Sequence, residues 1–222
     1  MTISLRHARV RYGPLEALHG VTLTAPAPGL TVLLGRNGSG RTTTLRALAG
    51  VVPLSAGAVL WDGTDVTRLP AFERARRGLC LVPERRAVFG SLTVRENLEL
   101  VAADLPDRLP YPELEPLLAR RAGALSGGEQ RMLALCRALP SPARARVVLV
   151  DEPTRGMAPS VAARTYDLLA SLDACVVLAE QRLPPALRGR RVFVHELRRG
   201  AVVFSGEAAE WAARSAAGTV QP

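Results

Sequence analysis

Lysine is missing from this sequence: all 29 basic residues of the 222-residue chain are arginine, and the formal charge is +9. Aromatic residues are scarce as well, at 4%. The arginine clusters at 74–77, 85–86, 188–191 and 198–199 therefore lack interleaved rings on which bases could stack. No nucleic-acid partner is expected, and the clusters read as a solvated surface near a membrane partner. Cysteine is confined to Cys80, Cys136 and Cys175. Their odd number and the lack of any C-x-x-C spacing argue against a disulfide framework and a zinc site, leaving buried free thiols as the reading. His7, His19 and His195 are equally dispersed and read as strand or surface residues. No apolar run approaches the roughly 20 residues needed to cross a bilayer. The opening MTISLRH has neither the apolar centre nor the cleavage pattern of a signal peptide, so a cytoplasmic location is expected.

What is present is a globular composition, 48% hydrophobic and 22% charged, with length for one substantial core. Alternating apolar and polar residues over 3–12, resumed at 21–23 beyond the Gly13-Pro14 turn, predict antiparallel strands at the start. A short strand is expected at 30–34, then a helix at 42–49 stopped by Gly50 with Pro53 beyond. A hairpin through Asp62-Gly63, a short helix at 72–77 and a buried strand at 79–82 follow. Residues 85–124 carry a helical pattern broken by Pro106, Pro110, Pro112 and Pro116, which predicts a small helical insertion. A helix beginning near Ser126, a strand at 147–150, a helix at 161–172 and strands at 175–178, 192–194 and 201–204 complete the chain. Strands alternating with helices mean an α/β sheet with helices packed on it.

Three segments carry chemistry. In GRNGSGRT at 35–42, Gly35, Gly38 and Gly40 free the backbone to bring N–H groups close to phosphate oxygens, and the following helix points its positive end there. Asn37, Ser39 and Thr43 complete the candidate loop, Arg41 supplies its cation, and Thr42 offers a hydroxyl to Mg²⁺. The run Val147-Val148-Leu149-Val150 buries a strand and leaves Asp151 at its carboxyl edge as a Mg²⁺-linked acid. Glu152 is next in line to polarise an attacking water, a general-base role worth about 10² to 10⁴ in rate. LSGGEQ at 125–130 reads as an anion-binding helix start, with Ser126 as N-cap, Glu129 as its capping-box partner and Gly127 and Gly128 exposing N–H groups. Those groups need a γ-phosphate held by another subunit.

These strings, with YGPLEALHGV at 12–21, LVPERRAVFGSLTVRENL at 81–98, LSGGEQRMLALCRAL at 125–139, DEPTRGMAP at 151–159 and LAEQ at 178–181, resemble the ATP-binding subunits of ABC transporters. Within them the chain is similar to the smaller ATPase subunit of branched-chain amino acid importers. The resemblance implies a P-loop ABC-type nucleotide-binding domain spanning 1–222: a mixed sheet, an antiparallel β subdomain, and a small helical subdomain at approximately 85–138 carrying the signature motif. It implies ATP and Mg²⁺ as cofactors and Tyr12 stacking on adenine. It also implies Glu84 beside the metal in place of the more usual glutamine, Gln181 at the switch position and Gln130 closing the signature. Arg155-Gly156-Met157-Ala158 falls at the dimer-contacting loop. The implied partners are a second ABC ATPase subunit, in a homo- or heterodimer, and transmembrane permease subunits that hold the chain on the inner face of the membrane.

Arg41 stands where this loop usually carries lysine. A planar guanidinium has a wider fork and different reach from an ammonium, so slow hydrolysis is expected, and Arg41→Lys should raise it. An alternative reading is a catalytically degenerate half that completes a partner's site through Ser126, Gly127 and Gly128. Glutamine at 181 also implies that no side chain at the switch changes charge between about pH 5 and 8, as histidine would. Residues 85–124 are short for the family, which trims the subdomain expected to meet the permease.

Overall fold

The computed structural model describes residues 2–85, 87–101, 108–139 and 145–216. Strands β1 (Thr2–Tyr12), β2 (Leu15–Pro26) and β3 (Gly29–Leu34) lead into helix α1 (Arg41–Leu48). Next come β4 (Ala56–Trp61), β5 (Thr64–Asp65), α2 (Ala71–Arg76), β6 (Leu79–Val82), α3 (Val94–Glu99) and α4 (Gly127–Ala138). The chain continues through β7 (Val147–Asp151), α5 (Pro159–Ala170), β8 (Cys175–Glu180), β9 (Val192–Arg198), β10 (Ala201–Glu207) and α6 (Ala208–Ala216). No helix among the described residues is long and apolar enough to cross a membrane.

Two sheets form. The first is antiparallel, ordered β2-β1-β4-β5; the second is ordered β10-β9-β3-β8-β7-β6. In the second, β9, β3, β8, β7 and β6 run parallel and β10 is its antiparallel edge. The expected mixed sheet and antiparallel subdomain are both present. Parallel strands are covered on both faces, which explains the unbroken apolar run of β7. Val148, Val150, Val176 and Leu178 face a core shared with Tyr111, Leu114, Leu133 and Leu135. Val147, Leu149, Val177 and Ala179 face the other core, with Leu45, Leu48 and the inward residues of β1 and β2. At the β4–β5 turn, Asp62 and Gly63 both have positive φ, 49° and 77°, as a tight two-residue hairpin requires.

The helical insertion is present, in shorter turns than its apolar pattern suggested. Among the described residues of 85–124 the only α-helix is α3, and the segment around Pro112 and Pro116 forms the 3-10 turn Pro112–Leu117. Proline removes the N–H that an α-helix needs, so this stretch closes in shorter turns. Pro106 and Arg86 lie outside the described residues. Tyr111 ties the segment to α5 through a 2.9 Å hydrogen bond with Thr165. Other boundaries shift by a residue or two: α5 starts at Pro159 rather than 161, with proline in its first turn. Helix α6 was not expected; its alanine-rich sequence has few apolar residues of size to mark a face.

Cys136 and Cys175 are buried, Cys80 is half-buried, and all three are free. Burial pushes the Cys136 thiol up to about 12 and that of Cys175 to about 11, so neither is reactive. His195 is a core residue bonded to Ser205 and the Thr24 carbonyl. Arg74 is only 1% exposed, and its guanidinium donates to the carbonyls of Leu48 (2.7 Å), Val66 (2.8 Å), Leu69 (2.9 Å), Thr67 (3.0 Å) and Ala47 (3.1 Å). It thereby holds the carboxyl end of α1 against α2.

Candidate nucleotide-binding site

Helix α1 begins directly after Gly40, whose φ of 102° disfavours any L side chain and whose missing Cβ would lie 2.9 Å from Leu18. No side chain caps this helix and no acidic residue occupies its first turn. Its leading N–H groups are left for an anion. Arg41 is 7% exposed. Its Nη2 lies 3.3 Å from Glu152 Oε1, while Nη1, like Ser39 Oγ, is buried with no partner among the described residues. A buried donor without an acceptor costs about 1–3 kcal/mol, a cost that phosphate oxygens in the loop would remove. The donor set therefore fits a polyphosphate.

The strand ends supply the facing wall. Asp151 is 3% exposed; burial raises its carboxyl above the ordinary range, opposed by a hydrogen bond from Thr42 and the charge of Arg41. A hydroxyl bonded to a buried carboxylate suits a hard cation such as Mg²⁺. Glu152 takes a left-handed backbone conformation, φ 53°, an arrangement that costs about 1–3 kcal/mol in a non-glycine residue and is found mostly at functional sites. Gln181 Nε2 donates to Glu152 Oε1 at 3.3 Å. The Glu84 carboxylate is paired with Arg155, and Arg85 lies 3.9 Å away.

A cleft of about 980 Å³ brings together Tyr12, Asn37, Gly38, Ser39, Gly40, Arg41, Thr42, Thr43, Glu84, Asp151, Glu152 and Gln181. Tyr12 stands at its rim, 41% exposed. Gly35 does not line this cleft. It sits behind the loop, where a Cβ would come within 2.5 Å of the Leu197 carbonyl, and its N–H donates to the Glu180 carbonyl at 3.2 Å.

The signature residues also lie outside the cleft. The expected capping box is present: Ser126 N–H donates to Glu129 Oε2 at 2.7 Å, and Glu129 N–H to Ser126 Oγ at 3.3 Å. Gln130 Nε2 donates to the Leu125 carbonyl at 3.2 Å. A Cβ on Gly128 would lie 2.5 Å from the Gly156 carbonyl, whereas Gly127 faces open space. The helix start is thus packed on one side against the expected dimer-contacting loop and clear on the other.

Two groups escaped the sequence reading. Arg131, 5% exposed, reaches from α4 to the carbonyls of Pro83 (2.6 Å), Pro153 (3.3 Å) and Asp151. Burial draws its guanidinium down to about 10. An arginine leading the apolar run Met132 to Cys136 was its signal. The second is Glu180, one residue before the switch position. Burial lifts its carboxyl to about 7, which sets a group with a raised carboxyl beside the switch position while Gln181 itself carries no charge.

A glycine loop between a parallel strand and a helix, with an acidic pair at the end of a strand two places along the same sheet, defines a P-loop nucleoside-triphosphate-binding protein. The ABC transporter family profile matches residues 18–155. BraG of Pseudomonas aeruginosa, a high-affinity branched-chain amino acid transport ATP-binding protein, is 35% identical over 191 residues, 80% of this chain and 81% of that one. LivF of Archaeoglobus fulgidus, a probable branched-chain amino acid transport ATP-binding protein, is 34% identical over 214 residues, 90% of this chain and 89% of the other. LptB of Escherichia coli, the ATP-binding protein of a lipopolysaccharide export system, is 33% identical over 170 residues, 71% of this chain and 70% of its own. A nucleotide-free ATP-binding cassette from an ABC transporter has the same fold, with a TM-score of 0.79 at 20% identity and coverage of 98% and 96%. The chain belongs to the ABC transporter family, as an ATP-binding, ATP-hydrolysing subunit. The reading as a degenerate half finds no support among these relatives.

Proposed function

We propose that the cleft holds Mg·ATP and that a second ATPase subunit closes over it. The observation that supports this most is Arg41: a buried guanidinium at an uncapped helix start, one nitrogen paired with Glu152 and the other unpaired among the described residues. Phosphate oxygens would draw Arg41 away from Glu152 and free that carboxylate to accept the proton of an attacking water, while Gln181 keeps it oriented. Thr42 and Asp151 would hold Mg²⁺, joined by Glu84 once Arg155 releases it. Held there, Mg²⁺ would supply positive charge to offset the charge that develops during transfer. Tyr12 offers its ring to adenine, and Asn37, Gly38, Ser39, Gly40 and Thr43 surround the phosphates. Ser126, Gly127 and Gly128 would donate to the γ-phosphate of the facing subunit, with Glu129 and Gln130 fixing that helix start.

The chain then works as one domain, with 85–138 as the piece that carries the signature, docked to permease subunits at the inner face of the membrane. The names of BraG and LivF support a branched-chain amino acid, or a related small solute, as cargo, and inward movement is our reading from the resemblance to importer subunits. LptB supports export as the second reading. Loss of radiolabelled leucine uptake in cells lacking this chain is the expected result, and unchanged uptake would overturn the amino-acid assignment. The site itself is tested by Mg²⁺-dependent ATP binding and turnover of the purified chain. Glu152→Gln should lower turnover by about 10² or more and leave binding in place; an active Glu152→Gln protein would refute the role.

A further inference from the structure

Behind the cleft, three side chains from three elements form one hydrogen-bond chain. Tyr166 on α5 donates to Glu180 Oε1 at 2.5 Å, and its hydroxyl lies 2.9 Å from Thr154 Oγ1. Thr154 belongs to the loop after β7 that carries Arg155, the partner of Glu84. Glu180 closes β8, accepts the Gly35 N–H through its carbonyl and precedes Gln181. One residue therefore joins three parts of the site: its backbone carbonyl holds Gly35 of the phosphate loop, its peptide bond leads into Gln181, and its carboxylate reaches Thr154 by way of Tyr166.

A tyrosine hydroxyl has a single proton to give. With Glu180 ionised, Tyr166 donates to the carboxylate and Thr154 donates to Tyr166. With Glu180 protonated, the carboxyl donates to Tyr166, Tyr166 donates to Thr154, and the threonine proton is released to another acceptor. We propose that Glu180 is a positioning residue for ATP hydrolysis, its proton state setting the direction of the Glu180–Tyr166–Thr154 chain and hence the loop that holds Arg155. The ionised form, with both hydroxyls turned inward and a further negative charge near Glu152, is the faster one. Glu152 opposes that ionisation, Arg41 and Arg131 favour it, Tyr166 stabilises it by donation, and burial places the balance at about pH 7.

This inference rests on the ATPase reading, and its test separates the two. Steady-state turnover of the purified full chain, followed from pH 5.5 to 8.5, should rise about tenfold between one unit below and one unit above a midpoint near 7. The change should lie in kcat and not in KM. Glu180→Gln should flatten this limb, and Tyr166→Phe should flatten it too, because the link from the carboxylate to Thr154 is cut. Infrared titration of the nucleotide-free wild-type chain should reveal a carboxyl losing its proton over the same range. A limb retained in Glu180→Gln, or no carboxyl titrating there by infrared, overturns the proposal. Absence of turnover at every pH would overturn the ATPase reading instead, and the infrared titration would still decide on Glu180.

Discussion

At the start of α1, Gly40 brings no side-chain oxygen, and among the described residues no side chain caps the leading N–H groups. At the start of α4, Ser126 and Glu129 satisfy two such groups from within. Both segments follow glycine-bearing sequences and both turn a positive helix end outward. The first is finished only by a ligand; the second is stable by itself and keeps Gly127 clear for one. A phosphate loop that must grip nucleotide in its own subunit can be left incomplete, because binding energy completes it. A surface that waits for a second subunit has to persist without its ligand.

Placing a carboxylate on the clear side of α4 is the strongest way to break this contrast. Gly127→Asp has room for its side chain, yet it should lower turnover by about 10² to 10³, the loss typical of one transition-state donor. ATP binding by the isolated chain, followed with a fluorescent analogue, should stay within about twofold. Equal losses in both would mean that α4 also contacts nucleotide in its own subunit.

The next effect sharpens the contrast through stability. ATP with Mg²⁺ at a hundredfold excess over Kd should stabilise the chain by about 2.7 kcal/mol in thermal unfolding. Ser126→Ala should cost about 1 kcal/mol by removing the cap. The ATP increment should be unchanged in that variant, since the two helix starts are finished independently. The smallest effect concerns Arg41. With a compact ammonium in place of the fork that reaches Glu152, Arg41→Lys should raise turnover about threefold, under 1 kcal/mol in the barrier; an equal or lower rate would show that arginine suits this loop.

Much of this architecture is legible from local pattern. The apolar run before Asp151-Glu152 marks β7, Gly40 and Thr42 mark the entry to α1, and Ser126 with Glu129 marks α4, because each signal lies within a few residues of its effect. In the proline-broken stretch the helical character was legible but the kind of turn was not, because apolar spacing says nothing about missing N–H donors; Pro112 and Pro116 leave 3-10 turns there. The capping box of Thr93 and Glu96 at α3 was readable and overlooked. The Arg131 clasp and the Glu180, Tyr166 and Thr154 chain depend on which strand ends adjoin, and no spacing along the sequence encodes that. The raised carboxyl of Glu180 escaped for the same reason, since burial rather than residue type moves it.

Arg74 gives α1 a fixed tail. Its guanidinium sits on the carbonyls of Ala47 and Leu48, so a positive charge is built into the negative pole of the helix while the opposite pole meets the cleft. Anchored to α2 at that end, the helix is held against sliding along its axis toward an anion at the other. On the proposed mechanism, the response to phosphate capture would then fall on side chains at the cleft: Arg41, and the Glu152 it would release.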